Sequence, residues 1–540
     1  MKRLSALGRS LVAVLLSFGF VLSVPGSASG VVYAQIEGTG STWSSLIVDQ
    51  WIADVSANGM KVVYTGGGSS KGRKDFSLKS TDFAISEIPY QGTDEQGNAD
   101  TSAGREYAYL PIVAGGTAFT YQLKIGNKRV DNLRLSGDTL TKIFTNKITS
   151  WDDPAIAKDN NGRSFPKLPI TPVVRSDGSG TTAQFTTWMD KAHPADWRAF
   201  FGKAGLTSYF PRKGRAVSQS GSDQVMNYIA SNAGNGTIGY VEYAYPLDKD
   251  FPVVKVLNQA GYFVEPTEFN TAVALTKAKI NEDKASQLYL TQILDGVYTN
   301  PDPRAYPISS YSYMVIPTGA TDTRMSTAKR QTLADFMFYS LCSGQSKAGA
   351  YGYSPLPVNL VQAGFEQLAK LKVADPAVEL SNRDVKSCNN PTFDGKNLRK
   401  NLLAEKAPQP AACDKAGAGP CGTKTGTGQP STDQPAAPAD EAAPAAGGEV
   451  PAADPGAAPV EAAPAVVDPV TGESTVPVAS TTGETSTEAI YANPTELSAD
   501  RPGDAKAFSL LAVALLIGLV VLPGVYAGSL RRRSVSRGAK

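Results

Sequence analysis

In three places this chain sets a short loop of glycine and hydroxyl residues at the start of a helix-like stretch, and this constrains the fold more than any other feature. The fullest is Arg175-Ser176-Asp177-Gly178-Ser179-Gly180-Thr181-Thr182. It follows Ile170-Thr171-Pro172-Val173-Val174, which reads as a buried strand, and precedes Ala183-Gln184-Phe185-Thr186-Thr187-Trp188-Met189, which reads as a helix. Gly38-Thr39-Gly40-Ser41-Thr42-Trp43 precedes the amphipathic stretch from Ser44 to Ala57, and Gly66-Gly67-Gly68-Ser69-Ser70 follows the strand-like Met60 to Tyr64. At a helix start, unpaired N–H groups and the positive end of the helix dipole converge, which favours an anion. Arg175 adds a planar, two-pronged donor. Each loop taken singly also reads as an ordinary turn, with Ser179 or Thr181 capping the helix. Three together predict a shared anion cradle.

The segments around these loops alternate in the same way. Leu110 to Ala114, Phe119 to Lys124, Ile238 to Val241 and Ile308 to Pro317 read as strands. Ser136 to Phe144 opens with turn residues and continues as a short helix; Ser222 to Asn232 and Ala328 to Leu341 read as amphipathic helices. Such alternation predicts an α/β fold with a largely parallel sheet. In open α/β sheets ligands sit beyond the carboxyl ends of strands, which is where the three loops fall.

Of the 540 residues, only about 35 to 403 carries this pattern. Residues 1–34 read as a secretory signal: Lys2, Arg3 and Arg9, then the apolar run Leu11 to Val24, then the small-residue site Val32-Tyr33-Ala34, with a cut after Ala28 as the alternative. Over 407–505 proline, alanine, glycine, threonine and glutamate dominate, so the chain lacks the apolar surface to offset ordering entropy; a disordered, extended tether is expected. Residues 507–527 are apolar and long enough for a transmembrane helix. Arg531, Arg532, Arg533, Arg537 and Lys540 follow it and predict a basic cytoplasmic tail over 528–540. The expected location is therefore the outer face of the cell membrane, held by one pass through the lipid bilayer.

The net charge of +2 gives no case for nucleic acid. The four cysteines, Cys342, Cys388, Cys413 and Cys421, sit in an exported chain, where disulfides are the default. Of three pairings, Cys342–Cys388 and Cys413–Cys421 are favoured: the first ties a helix to the end of the fold, the second staples a short loop at the start of the tether. No CxxC spacing occurs and His193 is the sole histidine, so neither a metal site nor a cofactor is expected.

Over Ile36 to Leu371 the chain resembles the phosphate-binding proteins that feed ABC-type phosphate importers. The likeness is carried by the Gly38–Trp43 loop, Gly68-Ser69-Ser70, Thr81-Asp82-Phe83-Ala84-Ile85-Ser86-Glu87 and Lys147-Ile148-Thr149-Ser150-Trp151-Asp152-Asp153-Pro154-Ala155-Ile156. It continues through the Arg175 loop, Gly236 to Tyr245 and Tyr306-Pro307-Ile308. The resemblance implies a two-lobed periplasmic-binding-protein fold with a central inter-lobe cleft and two crossing strands. Lobe one takes 35–113 with 300–403, and lobe two 114–299. It implies capture of inorganic phosphate and delivery to ABC permease subunits in the membrane, with no enzyme activity. Thr42 and Ser69 would donate from lobe one with the Trp43 main-chain N–H beside them. Ser179, Gly180 and Thr181 would donate from lobe two, and Arg175, oriented by Asp177, would supply the charged contact.

The family also places a carboxylate to accept the proton of hydrogen phosphate. A buried acceptor favours a protonated oxyanion and repels sulfate, which has none to give. Here that position is Glu87 rather than aspartate, one methylene longer. Lys71 and Arg73 beside the Ser69 loop read as a solvated basic face, or as added attraction for a more highly charged phosphate compound. The alternative in the same class is a receptor for another oxyanion or a phosphate ester; alternatives of other classes are a surface adhesin or sensor reusing the fold, and a phosphatase with Ser179 as nucleophile, which lacks an adjacent base.

Overall fold

A computed structural model describes residues 33–380 and 384–432, and the short paired strands Val466–Val467 and Ser474–Thr475. The expected signal up to residue 32, the rest of the tether beyond 432, the membrane helix at 507–527 and the tail at 528–540 lie outside the described residues. No helix among the described residues is long and apolar enough to cross a membrane. Ala34, expected to close the signal, exchanges both main-chain hydrogen bonds with Thr332 Oγ1, at 3.1 and 2.8 Å.

The elements that build the cleft are, in chain order, β1 (Ile36–Gly40), α1 (Ser45–Ser56), β2 (Val62–Gly66), α2 (Ser69–Ser77), β3 (Phe83–Ser86), β4 (Tyr107–Gln122), α3 (Gly137–Phe144) and β5 (Thr171–Arg175). There follow α4 (Gly180–Ala192), β6 (Val217–Gln219), α5 (Gly221–Ala230), β7 (Thr237–Glu242), β8 (Ser309–Pro317), α6 (Thr327–Leu341) and α7 (Val358–Ala374). Their strands form one sheet in the order β6-β5-β7-β4-β8-β3-β1-β2. The sheet is mixed, not largely parallel. Pairs β1–β2, β1–β3, β5–β6 and β5–β7 are parallel, but β4 and β8 run antiparallel to their neighbours. The chain leaves one lobe along β4 and returns along β8, so these strands must oppose one another.

β4 belongs to both lobes. Its first part, Tyr107 to Gly116, pairs with β8, and its second, Thr117 to Gln122, pairs with β7. One strand stands where Leu110 to Ala114 and Phe119 to Lys124 are expected as two, and it runs unbroken through Gly115 and Gly116. The glycines serve close approach instead. A Cβ on Gly115 would lie 2.6 Å from the Trp43 ring and 2.9 Å from Glu242 Oε1; one on Gly116 would lie 3.1 Å from Tyr306.

Burial fixes the helices that carry the loops. Ile47, Val48, Trp51 and Val55 of α1 are buried at helical spacing. On α4, Phe185 packs against Phe119 and Phe144, each with centroids 5.0 Å away, and against Tyr240. A fully buried side chain of this size contributes about 2–3 kcal/mol, so α4 is held by its core face while its first turn is left to the cleft. Trp151 is buried and donates to Gly236 O at 3.1 Å.

Residues 407–432, assigned by composition to the tether, fold back onto lobe two. Cys413–Cys421 closes a loop there, and Cys342–Cys388 ties the end of α6 to the preceding stretch. Polar contacts hold the segment, which is why hydropathy did not reveal it. Gly426 N donates to Glu265 Oε2 at 2.9 Å, Gly428 N to Tyr243 OH at 3.0 Å, and Thr425 N to Asp131 O at 2.8 Å. Lys255 Nζ, buried with Asp414, meets Asp414 Oδ1 at 2.6 Å and also contacts Ser431 Oγ. Removing one partner of a buried pair leaves the other charge uncompensated. With Glu265 still nearby, Asp414→Ala is expected to cost about 2 kcal/mol, read as a lower urea midpoint at unchanged m; an unchanged midpoint would show that the pair contributes nothing.

Candidate functional site

Four helix N-termini meet between the lobes. α1 and α2 begin at Ser45 and Ser69 beyond β1 and β2; α4 and α5 begin at Gly180 and Gly221 beyond β5 and β6. Each brings orphan N–H groups and a partial positive charge. Thr42, Ser69, Glu87, Arg175, Ser179, Thr181 and Ser222 are all buried here.

The two sides touch directly. Gly180 N donates to Ser69 Oγ at 3.2 Å, and Ser69 Oγ donates to Glu87 Oε2 at 2.7 Å. Ser222 N donates to Thr42 Oγ1 at 3.1 Å, and the two hydroxyls lie 3.2 Å apart. Ser70 N donates to Gly178 O at 3.0 Å. Gly68 has φ +91°, and a Cβ there would lie 2.5 Å from Asp177 Oδ2 and 2.6 Å from Gly178 O, so this lobe contact requires glycine.

Arg175 is 2 % exposed. Its Nε donates to Asp177 Oδ1 at 2.7 Å and its Nη2 meets Asp177 Oδ2, a two-pronged pair that fixes the guanidinium plane. Nη1 donates to Ser222 Oγ at 3.3 Å, and Asp177 Oδ1 also accepts from Gly221 N at 3.0 Å. Arg175, Asp177 and Glu87 leave no net positive side-chain charge. Attraction for an anion therefore comes from oriented dipoles together with the guanidinium.

Three tyrosine hydroxyls hold the loop after β1. Tyr64 OH donates to Ser41 O at 2.7 Å, Tyr245 OH to Thr42 O, and Tyr353 OH to Trp43 O at 2.7 Å. Burial pushes all three hydroxyls above the ordinary phenol range, so they stay protonated donors. With three successive carbonyls tied back, the loop turns its hydroxyls to the cleft.

Thr42, Ser69, Glu87, Arg175, Gly180 and Thr181 are thus brought together from both lobes. Thr181 Oγ1 is buried and has no protein partner among the described residues. One expected donor, the Trp43 main-chain N–H, is turned elsewhere. Trp43 N donates to Ser41 Oγ at 2.9 Å, closing a local turn, while the indole packs edge-on to Tyr353. Ser179 Oγ accepts from Thr182 N at 3.1 Å as the α4 cap, and Ser179 N donates to Ser208 O at 2.9 Å; the cap bond uses a lone pair, so the Ser179 O–H is still a donor. Arg73 is not a solvated charge: it is 1 % exposed and paired with Asp100 at 2.8 Å. Lys71 is exposed and pairs with Asp75.

Sequence reasoning missed Ser222 and Ser312. Ser220-Gly221-Ser222 before α5 repeats the glycine–hydroxyl pattern and could have been read as a fourth loop. Ser312 Oγ donates to Glu87 Oε1 at 2.9 Å from within β8, where no local pattern marks it.

Residues 25–343 match the family model of the PBP superfamily domain. The phosphate-binding protein PstS of Methanocaldococcus jannaschii is 31 % identical over 348 residues, covering 62 % of this chain and 86 % of that protein. The phosphate-binding protein PstS 2 of Mycobacterium tuberculosis is 30 % identical over 347 residues, covering 62 % and 87 %. A solved structure of a high affinity periplasmic phosphate-binding protein bound with phosphate aligns with 63 % of this chain and 93 % of its own, at 20 % identity and a TM-score of 0.47. The chain belongs to the PBP superfamily and, within it, to the family of phosphate-binding proteins PstS.

Proposed function

We infer that this protein is an extracytoplasmic solute-binding protein that captures inorganic phosphate between its lobes and delivers it to an ABC permease. The observation that carries this reading is the buried meeting of four helix starts with Arg175 and Glu87. Thr42, the Ser69 main-chain N–H, the Ser179 hydroxyl, Thr181 and Arg175 donate to a dehydrated tetrahedral oxyanion, with Ser222 as an added donor; the Ser69 hydroxyl is given to Glu87 and the Gly180 N–H to Ser69 Oγ. Glu87 is the acceptor for the proton of hydrogen phosphate. Ser69 and Ser312 hydroxyls fix that carboxylate at 2.7 and 2.9 Å, so its orientation is set before a ligand arrives. A bare oxyanion facing it meets an unpaired buried charge, the physical basis of discrimination against sulfate. The direct contact of Ser70 N with Gly178 O supports a compact ligand over a phosphate ester, whose substituent would hold the lobes apart.

Binding rather than hydrolysis follows from the same groups. Ser179 Oγ caps its own helix, and His193, the chain's one histidine, packs edge-on to Trp188 with centroids 4.9 Å apart. Among the described residues no base is hydrogen-bonded to Ser179 Oγ. For attachment, residues 507–527 cross the membrane, the basic tail lies in the cytoplasm, and the Pro/Ala/Gly/Glu-rich stretch after 432 spaces the lobes from the bilayer.

Calorimetric titration of the full chain with phosphate, sulfate and a small phosphate ester tests the reading; sulfate binding as tightly as phosphate would refute it. Glu87→Gln keeps the shape and removes the negative charge. It is expected to reduce the phosphate-to-sulfate preference about tenfold or more, a change of about 1.4 kcal/mol, and to change phosphate affinity less. Unchanged selectivity would remove Glu87 from the account.

A further inference from the structure

The cleft is bridged a second time, away from the cradle. Between β3 and β4 the chain forms a hairpin of Gly92–Thr93 against Ala99–Asp100. At its root Asp100 accepts from Arg73 Nε at 2.9 Å and Nη2 at 2.8 Å, and Arg73 Nη1 donates to Ser86 Oγ at 2.9 Å. Arg73 lies one turn along α2 from Ser69, so the hairpin is rooted in the helix that presents a cradle hydroxyl. Its tip is stiffened by Asp94 Oδ1, which accepts from Gln96 N at 3.0 Å and Asn98 N at 2.7 Å. From that tip Glu95 Oε1 accepts the main-chain N–H of Ser208 in lobe two.

Ser208 is 2 % exposed and joined to the other half of the cradle. Its carbonyl accepts from Ser179 N at 2.9 Å, and its neighbour Thr207 both gives a hydrogen bond to and receives one from Thr186 Oγ1 of α4, at 3.0 Å each. One continuous line of contacts thus runs from α2 through Arg73, Asp100, Glu95 and Ser208 to the first turn of α4.

We propose that Glu95 is a positioning residue that latches the closed lobes and sets how long phosphate is held. The proposal rests on the phosphate-capture reading. Glu95 makes no contact with Arg175, Glu87 or the cradle hydroxyls; it acts through Ser208. Its bond spans two lobes, so it forms only on closure, after the ligand has entered. Such a contact slows dissociation and leaves encounter unchanged. It also gives the Arg73–Asp100 pair a role: anchoring the latch.

The test is stopped-flow tryptophan fluorescence of the full chain with inorganic phosphate, for wild type, Glu95→Ala and Glu95→Gln, beside hydrogen exchange at the Ser208 amide. A charge-assisted hydrogen bond at a partly exposed tip corresponds to about a tenfold rise in koff for Glu95→Ala. We expect kon within twofold of wild type, and an intermediate koff for Glu95→Gln, which keeps an acceptor oxygen. Ser208 exchange should be faster in Glu95→Ala, with the Tm of the unliganded protein unmoved. An unchanged koff, or a loss of affinity lying in kon, overturns the latch. Wild-type protein that gives no phosphate signal overturns the phosphate reading instead, and Ser208 exchange then decides the latch alone: an unchanged rate in Glu95→Ala refutes it.

Discussion

Gly180→Ala is expected to weaken phosphate binding by about 100-fold or more while the unliganded protein keeps its stability. A Cβ at this position would fall on Glu87 Oε2 and Ser69 Oγ and lie 3.0 Å from Glu87 Cβ. Neither side chain can step aside: Glu87 is fixed by Ser69 and Ser312, and both Ser69 and Glu87 are buried. Overpacking of this kind costs about 1–3 kcal/mol, and separating the lobes also breaks the Gly180 N–Ser69 Oγ bond. The clash lies wholly between lobes, so it is relieved by opening rather than unfolding. Calorimetry with phosphate, beside a melting curve without it, separates the two. Wild-type affinity in Gly180→Ala would mean that the lobes do not close on phosphate as described.

Arg175→Ala is expected to cost about 3 kcal/mol of phosphate binding, roughly 100-fold. The substitution removes the one guanidinium in the cradle. It also leaves Asp177, held to Arg175 at 2.7 Å, as a carboxylate facing an incoming anion. Arg175→Lys restores the charge but not the paired geometry, so it should recover affinity only in part. Calorimetry on both variants checks the order wild type, lysine, alanine. If Arg175→Ala keeps wild-type affinity, the helix dipoles alone hold the ligand.

The loops were legible in sequence because each is local: a strand, a few glycines and hydroxyls, then a helix. Arg175 and Asp177, two residues apart, form a pair that needs no distant information. Other features were hidden for a physical reason. Ser312 reaches Glu87 across β8 and β3, 225 positions apart in sequence, and its strand carries no pattern that distinguishes it. The three tyrosines on the β1–α1 loop come from β2, the stretch after β7 and the turn before α7. Residues 407–432 look unstructured because their anchors are main-chain groups, the Thr425 hydroxyl and ion pairs, which hydropathy does not weigh.

Local chain chemistry alone determined the alternation of strand, glycine–hydroxyl loop and helix, the Arg175–Asp177 pair and the polar-to-apolar change toward the C-terminus, since each depends on residues a few positions apart. Which donors face the cleft was decided only in three dimensions. Trp43 N is consumed within its own turn, whereas Ser222 and Ser312 are brought in by the packing of separate strands and helices. Each donor hydrogen serves one partner at a time, and the packing of distant elements decides which hydroxyls and N–H groups are left to face the cleft.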